Sequence, residues 1–185
     1  MKNTLKYLLL AFTSVLILTS CDGGDDDDIP PVDEGELITT VTLTLTDSAN
    51  TTDVRTATFR DSDGPGGNPP TLFQEIKLNP NSTYHTSITL LDESKSPSED
   101  ITVEIAEEKE DHQFFYTPTS GLNAVVRYRD KDANNRPVGL LTTIETGAAS
   151  SGKLKVTLKH QPGPKNNSIT TGDTDVEIDF TARIQ

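Results

Sequence analysis

The chain has 185 residues, enough for one domain of ordinary size, and 32% of them are hydrophobic. Its 16 basic and 29 acidic side chains leave a formal charge of −13, a surface that repels phosphate backbones and so disfavours nucleic acid, while drawing cations or basic protein surfaces. Tryptophan is absent and aromatics make up 5%, which argues against a sugar-stacking platform and for a core built from Val, Ile and Leu.

At the N-terminus, Lys2 and Lys6 flank the start of "YLLLAFTSVLIL", an apolar run of about a dozen residues, and together they have the layout of a signal peptide over residues 1–20. The run is shorter than the roughly 20 apolar residues that span a bilayer. Leu18, Thr19 and Ser20 then lead into Cys21, the single cysteine of the chain. "LTSC" resembles the lipobox of bacterial lipoproteins, in which the thiol receives a diacylglycerol before the signal is cut away. By that resemblance Cys21 becomes the acylated first residue, its chains of the palmitate type. The alternative is an ordinary cleaved signal followed by a free thiol. Each buried methylene contributes about 0.8 kcal/mol, so a multiply acylated cysteine anchors durably. An acylated Cys21 also leaves no cysteine for an internal disulfide, although export would permit one. The next stretch, "DGGDDDDIPPVDEGE", has too few apolar groups to offset the entropy of ordering its backbone. Residues 21–36 therefore read as a disordered acidic tether.

From residue 37 the pattern changes to alternation. In "VTLTLT" (41–46), Val41, Leu43 and Leu45 point one way and the threonines the other, the period-2 signature of a strand with one wet face. Further strands are predicted at "VRTATFR" (54–60), "FQEIKL" (73–78), "TYHTSITLL" (83–91), "ITVEI" (101–105) and "HQFFYT" (112–117). They continue at "LNAVVRYR" (122–129), "VGLLTTIE" (138–145), "KLKVTLK" (153–159) and "DVEIDF" (175–180). Turn formers separate them, as in "DSDGPGGNPP", "DKDANNRP" and "HQPGPKNN". Only "AEEKED" could wind a helical turn. Many short strands at this spacing predict an all-β fold: a single antiparallel β-sandwich over residues 37–185, immunoglobulin-like in general architecture.

Two acidic loops and two histidines carry candidate chemistry. Asp61 and Asp63 precede a glycine turn, and Asp130, Asp132 and Asn134 stand at alternate positions, a spacing from which oxygens can converge on Ca²⁺ as the chain curls. Such residues equally form turns for backbone reasons, and no bidentate Glu or flanking helix completes a calcium hand. His112 opens one predicted strand and His160 follows another; on neighbouring strand ends, with Glu108, Glu110 or Asp111 nearby, they could hold Zn²⁺ or Cu²⁺. The plain alternative is two structural histidines. No nucleophile elbow, phosphate loop or HExxH motif suggests an enzyme. Asp175 and Glu177 share one strand face, yet a pair on a wet surface is expected to titrate normally.

The runs "LLDESKSPSEDIT", "DHQFFY", "TGAASSGKLKVTLKHQPGPK" and "TDVEIDF" together resemble a group of small bacterial lipoproteins of flavobacterial type, over most of the chain beyond Cys21. Members sometimes carry the label of a type 1 periplasmic binding fold, which requires two α/β lobes and roughly twice this length. The helix–strand alternation of such lobes is not written in this sequence, so the resemblance implies export and anchoring rather than that fold. An acidic segment after the lipid-bearing cysteine resembles a surface-export signal in that lineage. It implies an outer-membrane lipoprotein, on the cell surface or the periplasmic side. The expected function is a non-enzymatic binding or accessory module for an outer-membrane protein partner such as a nutrient receptor. The alternatives are metal capture through His112 and His160, and a calcium-stabilised domain.

Overall fold

The alternation at the start of the domain becomes the central strand of a sheet. In chain order the elements are β1 (Thr40–Asp47), β2 (Val54–Arg60), β3 (Leu72–Phe73), β4 (Ile76–Leu78), β5 (Thr83–Asp92), β6 (Glu99–Asp100), α1 (Ile101–Glu107), β7 (His112–Pro118), β8 (Ala124–Tyr128), β9 (Leu141–Thr146), β10 (Ser150–His160) and β11 (Asp173–Ile184). The computed structural model describes residues 36–64, 66–119, 121–163 and 165–185. The signal segment, Cys21 and the tether as far as residue 35 lie outside the described residues.

The strands form two sheets, one of seven strands in the order β3-β2-β1-β5-β9-β8 with β6 against β5, and one of four in the order β4-β11-β10-β7. Their inner faces share one core. Val41, Leu43, Leu45, Ile88, Leu90 and Ile144 come from the larger sheet, and Phe114, Val156, Leu158, Ile178 and Phe180 from the smaller. Burying each such side chain stabilises by about 1.5–3 kcal/mol, which explains how a domain without a disulfide holds together. The β-sandwich expected from the sequence is thus the observed architecture.

Two local expectations are corrected. "ITVEI" is not a strand but helix α1. Its five residues satisfy both periods, because Ile101 and Ile105 lie together on a strand face and also one helical turn apart. Local chemistry tips the balance: the Asp100 carboxylate accepts from the Thr102 N–H at 3.0 Å as an N-cap. Val103, which a strand would bury beside the two isoleucines, is 54% exposed. The second correction concerns "FQEIKL", which is two strands rather than one. The chain leaves the larger sheet after Phe73 and enters the smaller at Ile76, where β4 runs parallel to β11. The four-stranded sheet is therefore mixed instead of purely antiparallel.

The loop joining β10 to β11 closes tightly on itself. Gly172 sits at φ +75°, and a Cβ there would fall 1.9 Å from the His160 carbonyl oxygen. Gly172→Ala is expected to destabilise the domain by about 1–3 kcal/mol, since the backbone must give way as well as adopt a left-handed conformation. A thermal melt compared with the unaltered chain measures this directly.

Candidate metal centre

Register places the two histidines side by side. His112 is the first residue of β7 and His160 the last of β10, and the two are paired across the strands. Their rings stack, with centroids 4.6 Å apart and planes 12° from parallel. Stacking has a chemical consequence, because an imidazole binds a metal in its own ring plane. An ion in the plane of one stacked ring lies off the plane of the other, so His112 and His160 as arranged do not chelate one ion together.

His112 has different companions. Its Nε2 is 3.5 Å from Glu36 Oε1 and 3.9 Å from Asp175 Oδ2, and the three donor atoms all lie within 4.8 Å of one another. Zinc bonds of about 2.0–2.2 Å place tetrahedral ligand atoms roughly 3.4 Å apart, so small side-chain adjustments would close this set around one ion. The three come from separate segments: Glu36 just before β1, His112 opening β7, and Asp175 in β11.

Asp175 reaches the site through an irregularity. Leu158 pairs with Val176 and Lys159 with Thr174, which leaves Asp175 as the extra residue of a β-bulge. Its side chain is 5% exposed, whereas that of Glu177 is 47% exposed and forms an ion pair with Lys155 at 2.5 Å. The shared wet face expected for Asp175 and Glu177 is therefore not what the structure shows. The bulge reverses the parity of the strand at one position, and the two carboxylates part.

Electrostatics favour a neutral ring. Burial pushes the His112 pKa below its ordinary value, against the pull of the Glu108 carbonyl, and the neighbouring His160 adds to the depression. Nδ1 lies 3.2 Å from the Glu108 carbonyl oxygen, an atom that can only accept. In the neutral ring that nitrogen carries the hydrogen, and Nε2, with two carboxylates within 3.9 Å, carries the lone pair. A carbonyl that fixes the tautomer while the other nitrogen faces carboxylates is a familiar support for a metal-ligating histidine.

Of the three acids expected beside the histidines, Glu110 and Asp111 are used elsewhere and Glu108 stays next to His112. Glu110 accepts from the Ala133 N–H and Asp111 from the Gly163 N–H, while Glu108 Oε2 lies 3.8 Å from Nδ1, on the side away from Glu36. The Asp130–Asn134 loop is likewise internally engaged. Asp130 accepts from the Gly139 and Leu141 N–H groups, and Asp132 Oδ1 from those of Asn134 and Arg136. Asp132 Oδ2 lies 2.9 Å from the ammonium of Lys165. Asn134 is exposed. At the opposite edge of the larger sheet, Asp63 accepts both N–H groups of Asn68, backbone and side chain. Burial and the neighbouring Asp63 together raise the pKa of Asp61. Asp63 and Asp132 brace their own loops, the plain alternative for such spacing, while Asp130 ties its loop to residues 139 and 141.

Lys165 is the residue that sequence reading gave no reason to notice. Its side chain is 1% exposed, and it donates to the carbonyls of Lys109, His112 and Pro137 at 2.9, 3.1 and 2.9 Å. Those three bonds use its three hydrogens, so Asp132 supplies the opposite charge rather than a further hydrogen bond. Through Lys165 the backbone of His112 is tied to the Asp130–Asn134 loop.

Compared with known protein families, curated proteins and solved structures, the chain matches none of them.

Proposed function

We propose that this protein is a non-enzymatic lipoprotein, anchored through Cys21 in the bacterial outer membrane, whose β-sandwich holds a divalent transition metal at Glu36, His112 and Asp175. The observation that carries the metal reading is the convergence of a buried imidazole Nε2 with two carboxylate oxygens drawn from three distant segments. One nitrogen and two oxygens suit Zn²⁺ better than a soft cuprous ion. The open coordination positions would be filled by water or by a ligand atom of a partner. The anchoring rests on the lipobox resemblance; among the described residues no helix is long and apolar enough to cross a membrane.

Calorimetric titration of the chain with Zn²⁺ tests the site. One equivalent should bind, His112→Ala should abolish binding, and Glu36→Gln or Asp175→Asn should each weaken it at least about tenfold. His160→Ala should matter less, because its ring stacks on the ligand instead of joining it. Binding should also weaken as pH falls and protons compete for Nε2. Undiminished affinity in His112→Ala would dismiss the reading.

A second reading, docking of an outer-membrane protein partner such as a nutrient receptor, is favoured by β8. That strand is an edge of the larger sheet, and its Val125 is 50% exposed, where an added strand could pair. Co-purification of a partner from solubilised membranes, lost in Val125→Lys, is the expected result.

A further inference from the structure

A groove of about 440 Å³ opens between α1 and the strands β5 and β9, independent of the metal centre. This size falls within the range of small-molecule clefts. Ile88 and Val138 are buried in its floor, Leu140 is partly buried, and Leu141 stands 45% exposed at the surface. Helix α1 is fastened to β5 beside it, since the Thr102 hydroxyl bonds both the N–H and the carbonyl of Leu90.

Two lysines and one aspartate line the groove, a basic excess in an otherwise acidic chain. Lys109 and Lys131 both border it. Among the described residues neither forms an ion pair, whereas Lys77, Lys95, Lys153, Lys155 and Lys165 each meet a carboxylate. The Lys131 ammonium lies 3.4 Å from Asn135 Oδ1, a long contact. Lys159 also stands outside any ion pair among the described residues but donates to the Thr174 hydroxyl at 2.8 Å, so what distinguishes Lys109 and Lys131 is that both border one apolar floor. One acid, Asp130, also lines the groove, but its oxygens are turned to the Gly139 and Leu141 N–H groups of the groove's own wall.

We infer that this groove binds a small organic carboxylate with an apolar body, its charge met by Lys109 and Lys131 and its body laid on Ile88, Val138, Leu140 and Leu141. The apolar floor supplies affinity and the two ammonium groups select an acid over a neutral analogue of the same shape.

The test uses the full chain and two probes that differ in one group, 4-phenylbutyrate and 4-phenylbutanol, followed by calorimetry or amide NMR. The acid should saturate a single site and bind about tenfold or more tightly than the alcohol. A Lys109→Gln, Lys131→Gln double variant should lose that preference and fall to the affinity of the alcohol, while Lys77→Gln leaves binding unchanged. Leu141→Asp should abolish it, and the melting temperatures of all variants report whether they remain folded. Lack of saturable binding, equal affinity for acid and alcohol, or undiminished acid binding in the folded double variant would each overturn the inference.

Discussion

Lys165→Met should destabilise the domain by about 3–5 kcal/mol, although methionine nearly fills the volume of the lysine stem. The loss is electrostatic. Three carbonyl oxygens from Lys109, His112 and Pro137 would lose their donor, and Asp132, whose side chain is fully buried, would lose its counter-charge. Leaving a buried charge and buried acceptors unsatisfied exposes the full cost of having desolvated them. Asp132→Asn keeps an oxygen for the Asn134 and Arg136 N–H groups and should cost less, about 1–3 kcal/mol. The two variants also separate a pH dependence. Burial acts to raise the Asp132 pKa, but the Arg136 N–H, the Lys165 ammonium and the Asn134 N–H outweigh it, and the net shift is downward. A carboxylate depressed in the folded state contributes stability that is fully present above its unfolded value, about pH 4, and is lost as pH falls through its folded value. Urea unfolding at pH 7 and at pH 3 should show this part of the acid sensitivity missing from Asp132→Asn. A Lys165→Met variant within about 1 kcal/mol of the unaltered chain at pH 7 would contradict the account.

Phe180→Ala should be comparably severe, costing about 3–5 kcal/mol. Phe180 is fully buried on β11, and its ring meets that of Phe73 edge-on at 5.7 Å, while Phe73 meets Phe59 at 5.3 Å. The three rings run from the smaller sheet to β3 and β2 of the larger. Truncating the innermost one therefore opens a cavity where the two sheets interlock and removes an aromatic pair contributing about 0.5–1.5 kcal/mol beyond area. Phe73→Ala removes that pair and the one with Phe59, but from a side chain already 51% exposed, and should cost clearly less. The difference in denaturation midpoint between the two variants measures how much of the effect is cavity and how much is ring contact. Equal costs would show that the cavity at Phe180 adds nothing beyond the ring contacts, contradicting the account.

Both variants act through tertiary neighbours, and they mark where reading residues in a row stops working. The strands of the sandwich were legible because one buried face and one wet face impose a period of two, seen plainly in "TVTLTLTD". "ITVEI" reads as a strand because five residues cannot separate a period of two from 3.6, and the deciding group, the Asp100 cap, lies one residue outside the pattern. The candidate site was half legible. Histidines at the starts and ends of alternating runs suggested neighbouring strand ends, and His112 and His160 are indeed paired. Glu36 falls in the stretch that reads as tether, and Asp175 on a face made wet by a parity that the bulge interrupts.

Composition and periodicity by themselves determined the all-β class, the reliance on a Val, Ile and Leu core, and which face of most strands is buried, because these depend on local alternation and on the total of apolar surface to be hidden. Only the tertiary structure decided that β4 joins the smaller sheet in parallel, that a bulge turns Asp175 inward toward His112, and that Lys165 is enclosed by four oxygens. Each of those depends on atoms dozens of residues apart, such as Glu36 and Asp175 at one imidazole. No window of sequence contains both ends of such a contact, so only the folded chain could specify it.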